Sequence, residues 1–303
     1  MTQKRDRAKA KEKRKLKVES WKTEGAGKMI RRVLADLLVN VPIMLLSITC
    51  IFPVVWLFYS SLKTDVEFNR SPISLPTTLH FENYVQAFKK ANFGTFTLNS
   101  LFNSLISLVL VLIISFLLGY LLSRYRFKGR GFIYGILLAA MMIPIYTLIV
   151  PVFIQEKQLG ILNTRFSLIP MYVSMEIPMA VFLIDSSLKG ISTELEDAAS
   201  IDGAGLLQTM FQIIMPICRP ILSTVIILTF MHVWNEFAFA QALITDESLK
   251  TIPIGLTYFT SQYTTSYTLL LAALAMATIP VVILYLCFYN KIMDGMMAGA
   301  VKG

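Results

Sequence analysis

With 303 residues, 55% hydrophobic and only 16% charged, the chain lies well outside soluble globular proteins, in which about 25% of residues are charged. The net charge of +9 is local, because residues 4–32 carry 13 of the 28 Lys and Arg side chains. No nucleic-acid-binding module follows this basic stretch, so no nucleic-acid partner is expected. The stretch reads instead as an orientation signal attracted to anionic lipid.

In chain order, residues 1–32 form a basic tail, too long for a secretory signal and followed by an apolar run long enough to span. Within it, Gly25-Ala26-Gly27-Lys28-Met29 is a poor phosphate loop, lacking an upstream Gly at Lys22 and a hydroxyl residue after the lysine. Residues 33–290 are expected to form one membrane domain. Crossing a ~30 Å hydrocarbon core takes about 20 apolar residues in a helix. Six such runs lie near 34–61, 98–122, 132–155, 167–189, 218–243 and 268–289. In lipid the backbone must satisfy itself, so the predicted fold class is an all-α integral membrane protein with six transmembrane helices.

Six spans place both termini on one side. That side, with the 123–131 turn and the 189–219 loop, holds 21 of the 28 Lys and Arg residues. The positive-inside rule then puts both termini in the cytoplasm, with residues 291–303 as a cytoplasmic tail. Pro144, Pro151, Pro170, Pro178 and Pro280 predict kinked spans. Cys50, Cys218 and Cys287 have no metal or redox spacing. No zinc helix or nucleophile elbow occurs, which leaves a membrane enzyme unsupported.

The polar coupling loop, residues 190–217, stands apart from these runs. Ser192 or Thr193 is placed to cap a helix opening with Glu194, Glu196 and Asp197, acids that complement the helix dipole. Ala198 and Ala199 leave a thin surface that another protein's backbone could approach. Asp202-Gly203 permits a sharp turn, Ala204 to Met215 reads as a second helix, and Pro216 leads into the fifth span.

Asp197-Ala198-Ala199, three residues, Gly203, nine residues, then Ile213-Ile214-Met215-Pro216 resembles the cytoplasmic motif of importer permeases of the ATP-binding-cassette (ABC) class. Asp stands for the usual Glu and Met for the usual Leu. The turn at Arg124 to Arg130, Leu159 to Thr164, Trp234-Asn235-Glu236-Phe237 and the ending Ala298 to Gly303 are similar to the maltose-transporter branch, its smaller permease subunit, over residues 40–303. The resemblance implies type I ABC importer architecture and a binding-protein-dependent, ATP-driven sugar importer. Glu194 to Leu206 is then the coupling helix, gripped by one of two ABC ATPase subunits. A second permease makes a heterodimer, and an extracytoplasmic sugar-binding protein delivers substrate. The expected location is a prokaryotic inner or plasma membrane. ATP and Mg belong to the ATPases, with no cofactor on this chain.

Polar residues within spans usually face a bundle interior or cavity. Glu236 lies four residues after His232, on a shared helix face, beside Trp234 and Asn235. These four could contact a sugar, or bond helix to helix. Glu176, between Pro170 and Pro178, could line the pathway or pair with a partner subunit. Asn103 is a further candidate for the substrate path, though it and Ser104 can also bond across helices, and Asp185 and Lys189 should pair locally. Ala273 and Ala277 suit close helix packing. Residues 62–97 and 241–267 are the larger outer segments, expected to approach the binding protein. An ion-gradient-driven secondary transporter, with Glu176, His232 and Glu236 as a relay, is the alternative, though no internal repeat is evident.

Overall fold

The computed structural model describes residues 37–260 and 266–300, with the backbone alone beyond residue 289. The expectations for residues 1–32 and for the side chains of 291–303 lie outside them. The chain divides into two compact units after Phe58. The first holds most of α1 (Leu37–Ser60). Its Ser47 and Thr49 hydroxyls donate to the carbonyls of Ile43 and Leu45 at 2.8 and 2.9 Å, which satisfies them within the helix.

The second unit opens with two short helices, α2 (Asp65–Arg70) and α3 (Glu82–Lys90). The Thr64 hydroxyl accepts from the Glu67 N–H and caps α2. A 32-residue helix follows, α4 (Phe93–Arg124), about 48 Å long at 1.5 Å per residue and so longer than the hydrocarbon core. The third run divides into α5 (Arg130–Met142) and α6 (Ile149–Leu159), joined through a short turn at 145–148 and bent by 98°. Pro144 causes this break: it cannot continue a helix, and it forces Ile143 into an extended conformation, ψ 124°. Pro178 and Pro280, expected as kinks, sit inside continuous helices, α7 (Leu168–Leu188) and the last helix.

Beyond α7 come α8 (Glu194–Ile201), α9 (Leu206–Ile217) and α10 (Arg219–Asn235), the last two bent by 80° about Cys218. The second helix of the loop begins at Leu206 rather than Ala204, and residues 209–214 are π-helical. The fifth run also ends early. α10 stops at Asn235, and α11 (Ala238–Leu243) and α12 (Ile252–Leu256) follow before α13 (Tyr267–Ala300). The last helix continues unbroken past residue 290, where a tail was expected to begin. Among the described residues, four helices (α1, α4, α7 and α13) are long and apolar enough to cross a membrane, and the two bent pairs raise the number to six.

The core of the second unit lies where α4, α7 and α10 meet, with Val111, Phe116, Tyr120, Ile184, Ile214 and Cys218 buried. Gly119 sets the approach of α4 to α7: a Cβ there would lie 2.8 Å from Ile184 Cγ2. Two further clusters fill the other end. Phe96, Trp234, Ile252 and Ala273 form one, and Tyr172, Val233, Phe239 and Ile254 the other. The 241–267 segment is therefore largely folded into the unit rather than a solvated loop, although residues 261–265 are outside the description.

Candidate functional site

α8 and the turn after it are built from local rules. Glu194, Glu196 and Asp197 occupy its first turn. Ser192, rather than Thr193, supplies the side-chain oxygen, accepting from the Glu194 N–H at 3.3 Å. At the other end the Gly203 N–H donates to the Ser200 carbonyl and the Ala204 N–H to the Ala199 carbonyl, at 3.1 and 2.9 Å. This pair of bonds defines a Schellman cap, and Gly203 holds its left-handed position at φ +83°. The hairpin exposes Asp197, Ala198 and Asp202 together with apolar Leu195, Ile201, Leu206 and Leu207. The apolar members went unnoticed in the sequence because they read as ordinary helix residues. They lie exposed together on one hairpin.

Two residues grouped with this face turn inward. Ala199 is buried, so the thin surface consists of Ala198 alone. Glu196 accepts from Arg124 Nε at 2.6 Å and from the Tyr120 hydroxyl at 3.0 Å. Arg124 also donates to the Ile191 carbonyl at 3.0 Å. Arg124 and Glu196 are only 8% and 16% exposed. The Glu196 carboxylate is therefore engaged inward, unlike that of exposed Asp197. It fastens α8 to the end of α4. Pro216 lies in α9 two residues before the bend at Cys218.

The polar residues of the spans separate into distinct places. Glu176 and His232 meet, with His232 Nδ1 at 3.1 and 3.4 Å from the two carboxylate oxygens. Glu176 thus pairs within its own chain. Glu236 does not share a face with His232, because the helix has ended and its backbone is extended. Its carboxylate accepts from the Phe239 and Ala240 N–H groups at 2.7 and 3.0 Å and from the Tyr172 hydroxyl at 3.0 Å. It caps α11 and pins it to α7. Trp234 is buried, stacks on Phe230 with centroids 5.4 Å apart, and donates to the Ala277 carbonyl at 3.1 Å. Asn235 is exposed, and its amide donates to the Met231 carbonyl at 2.8 Å. Asn103 is buried beside a cavity of about 10 Å³ shared with Thr164 and Arg165, room for one water. Asp185 and Lys189 form the expected pair at 2.7 Å.

At the end of the unit away from α8, contacts unseen in the sequence tie segments together. Asn99 donates to the Ser248 and Lys250 carbonyls at 2.8 and 2.9 Å and accepts from Arg165. Asn163, at φ 58°, accepts from the Thr245 and Asp246 N–H groups. Asp65 accepts from the Thr268 N–H and from the Ser266 and Thr268 hydroxyls, at 3.0, 2.9 and 2.8 Å. The Thr77 N–H holds the Glu67 carboxyl below its ordinary value, and the Ser248 N–H does the same for Asp246. Burial lowers Lys63, whose ammonium donates to the Ser71 and Pro72 carbonyls, both at 3.0 Å.

The profile of the binding-protein-dependent transport system inner membrane components matches residues 112–293, from the middle of α4 through the α8 hairpin to α13. The chain belongs to this family. It is 35% identical over 262 residues to a diacetylchitobiose uptake system permease protein, NgcG, of Streptomyces coelicolor, covering 86% of this chain and 87% of that one. It is 33% identical over 279 residues to the trehalose/maltose transport system permease protein MalG of Thermococcus litoralis, covering 91% of this chain and 100% of that one. A crystal structure of a bacterial ABC transporter that imports the acidic polysaccharide alginate superposes with a TM-score of 0.72 at 22% identity, over 85% of this chain and 96% of that one. That likeness establishes the fold, which is the all-helical ABC importer permease architecture. The ion-gradient alternative finds no support: the family works with binding proteins, and Glu236 stands apart from the other two members of the relay.

Proposed function

We propose that this chain is one permease subunit of a carbohydrate importer driven by ATP that a separate ATPase hydrolyses. Its translocation pathway is shared with a second, different permease, and an extracytoplasmic binding protein supplies the sugar. The relatives that transport diacetylchitobiose and trehalose/maltose support the substrate class. The observation that carries the coupling role is the α8 hairpin: an exposed acidic and apolar face (Asp197, Ala198, Ile201, Leu206, Leu207) on a Schellman-capped turn, fastened to α4 through Glu196 and Arg124. An ATPase that grips this face and closes on ATP moves α8, and through the clamp it moves α4. Nucleotide state thereby biases an inward-open and outward-open pair of conformations. Both termini and α8 are then cytoplasmic, as the distribution of Lys and Arg requires. ATP and Mg are bound by the ATPases. Of the six polar candidates in the spans, Glu176, His232 and Asn235 remain for the pathway, while Trp234, Glu236 and Asn103 are engaged in packing, capping and the lining of a small cavity.

The test is Gly203→Val in the assembled complex. No atom lies within 4 Å of a Cβ built on Gly203, so the substitution acts through its left-handed backbone. The strain is about 1–2 kcal/mol for an ordinary residue and larger for a β-branched one. The subunit still inserts, while substrate-stimulated ATP hydrolysis and sugar uptake fall together. Unchanged stimulated hydrolysis in a correctly assembled complex contradicts the coupling role.

A further inference from the structure

The unburied faces of the spanning helices are not alike. On α4 the exposed stripe is Leu105, Val109 and Ile113, and on α13 it is Ile279, Val282, Ile283 and Leu286, as lipid requires. On α10 the stripe carries Met231, His232 and Asn235. The His232 side chain is 61% exposed, whereas its partner Glu176 is 9% exposed. Polar and ionisable residues in spans face the bundle interior or water rather than lipid, and His232 lies in the last turn of α10.

We infer that His232 and Asn235 form a water-exposed hydrogen-bonding site on this chain's wall of the pathway, with Glu176 as the positioning residue that orients the imidazole toward passing solute. That the solute is a carbohydrate rests on the proposed function.

The chemistry follows from the contacts. An ionised Glu176 only accepts, and beside a neutral imidazole it places the proton on Nδ1 of His232, 3.1 Å away, with Nε2 as the free acceptor. The Asn235 amide nitrogen is held by the Met231 carbonyl, which leaves its side-chain oxygen as a second acceptor. Two acceptors one helical turn apart suit the O–H donors of a polyhydroxylated solute. The stripe runs at Asn235 into a cavity of about 170 Å³ bordered also by Trp234 and Thr278. That is smaller than the ~300 Å³ at which ligand pockets usually begin, as expected for one half of a site that a second subunit completes.

The test uses the full chain with Cys50, Cys218 and Cys287 replaced by Ala, expressed with its natural partners, and single cysteines placed at His232, Asn235, Glu176 and Ile113. Membrane vesicles are treated with a membrane-impermeant, water-soluble methanethiosulfonate. His232→Cys and Asn235→Cys react at least tenfold faster than Ile113→Cys, and Glu176→Cys reacts slower than His232→Cys. If neither His232→Cys nor Asn235→Cys outpaces Ile113→Cys, lipid or a closely packed partner helix covers the stripe and the inference is wrong. The role of Glu176 is read by nitrogen NMR of the histidine-labelled chain, which has only two histidines. His232 holds the Nδ1–H tautomer, and Glu176→Gln turns it into a mixture; a dominant Nε2–H tautomer in the unmodified chain overturns the positioning role. ATP-driven uptake in the same background is a separate readout. Fast labelling without such uptake would sink the importer reading and leave the water-exposed wall standing.

Discussion

Glu196 and Asp197 are adjacent acids with opposite fates. Rotation of about 100° per residue along α8 sends one carboxylate into Arg124 and Tyr120 and leaves its neighbour exposed. The Arg124–Glu196 pair is nearly buried, and removing one partner of such a pair strands the other. Glu196→Ala should therefore destabilise the chain by about 3 kcal/mol, seen as a lower unfolding temperature of the assembled complex. Asp197→Ala should leave that temperature unchanged and weaken retention of the ATPase during purification. The resemblance places both acids in the coupling helix and does not tell them apart. Spacing identifies a motif, but the inward turn of Glu196 depends on Arg124, 72 positions away.

The six apolar runs were legible because lipid permits so few backbone arrangements. The breaks within them were legible only where proline causes them. Pro144 produces the 98° bend between α5 and α6, but the fifth run stops at Asn235 with no proline, because Glu236 begins a new helix by capping Phe239 and Ala240. Long-range hydrogen bonds such as those of Asn99 left no local signature at all. Asn99→Ala removes two donated bonds and the acceptor for Arg165, a loss of about 2 kcal/mol. Hydrogen exchange should quicken across residues 245–256 and stay unchanged in α8. Acid should loosen the same end. Glu67 and Asp246 sit below their ordinary values of 4.5 and 3.8 in the folded chain. Their contribution is therefore complete above those values and is lost as pH falls through the lowered folded ones. Protection of the Thr77 and Ser248 amides, taken relative to the intrinsic exchange rate at each pH, should fall in that acid range, and Glu67→Gln should remove that fall at Thr77.

At the scale of the whole molecule, the α8 hairpin and the residues proposed for the pathway lie at different levels of one packed unit, and α4 links them. Its end holds Glu196 through Arg124, its last two turns meet α7 at Gly119, and its start anchors the 245–256 segment through Asn99 and Ser100. On the proposed function, a displacement of α8 by an ATPase would reach the polar stripe of α10 along packed helices. The most direct measurement of this account is site-specific crosslinking from α8 in the assembled complex, with single cysteines at Ala198 and Ala199 in the cysteine-free background. The account predicts an adduct with the ATPase from exposed Ala198→Cys, with a yield that changes when ATP is bound, and little or none from buried Ala199→Cys. No ATPase adduct from Ala198→Cys, together with sugar uptake that persists after the ATPase is removed, would contradict it.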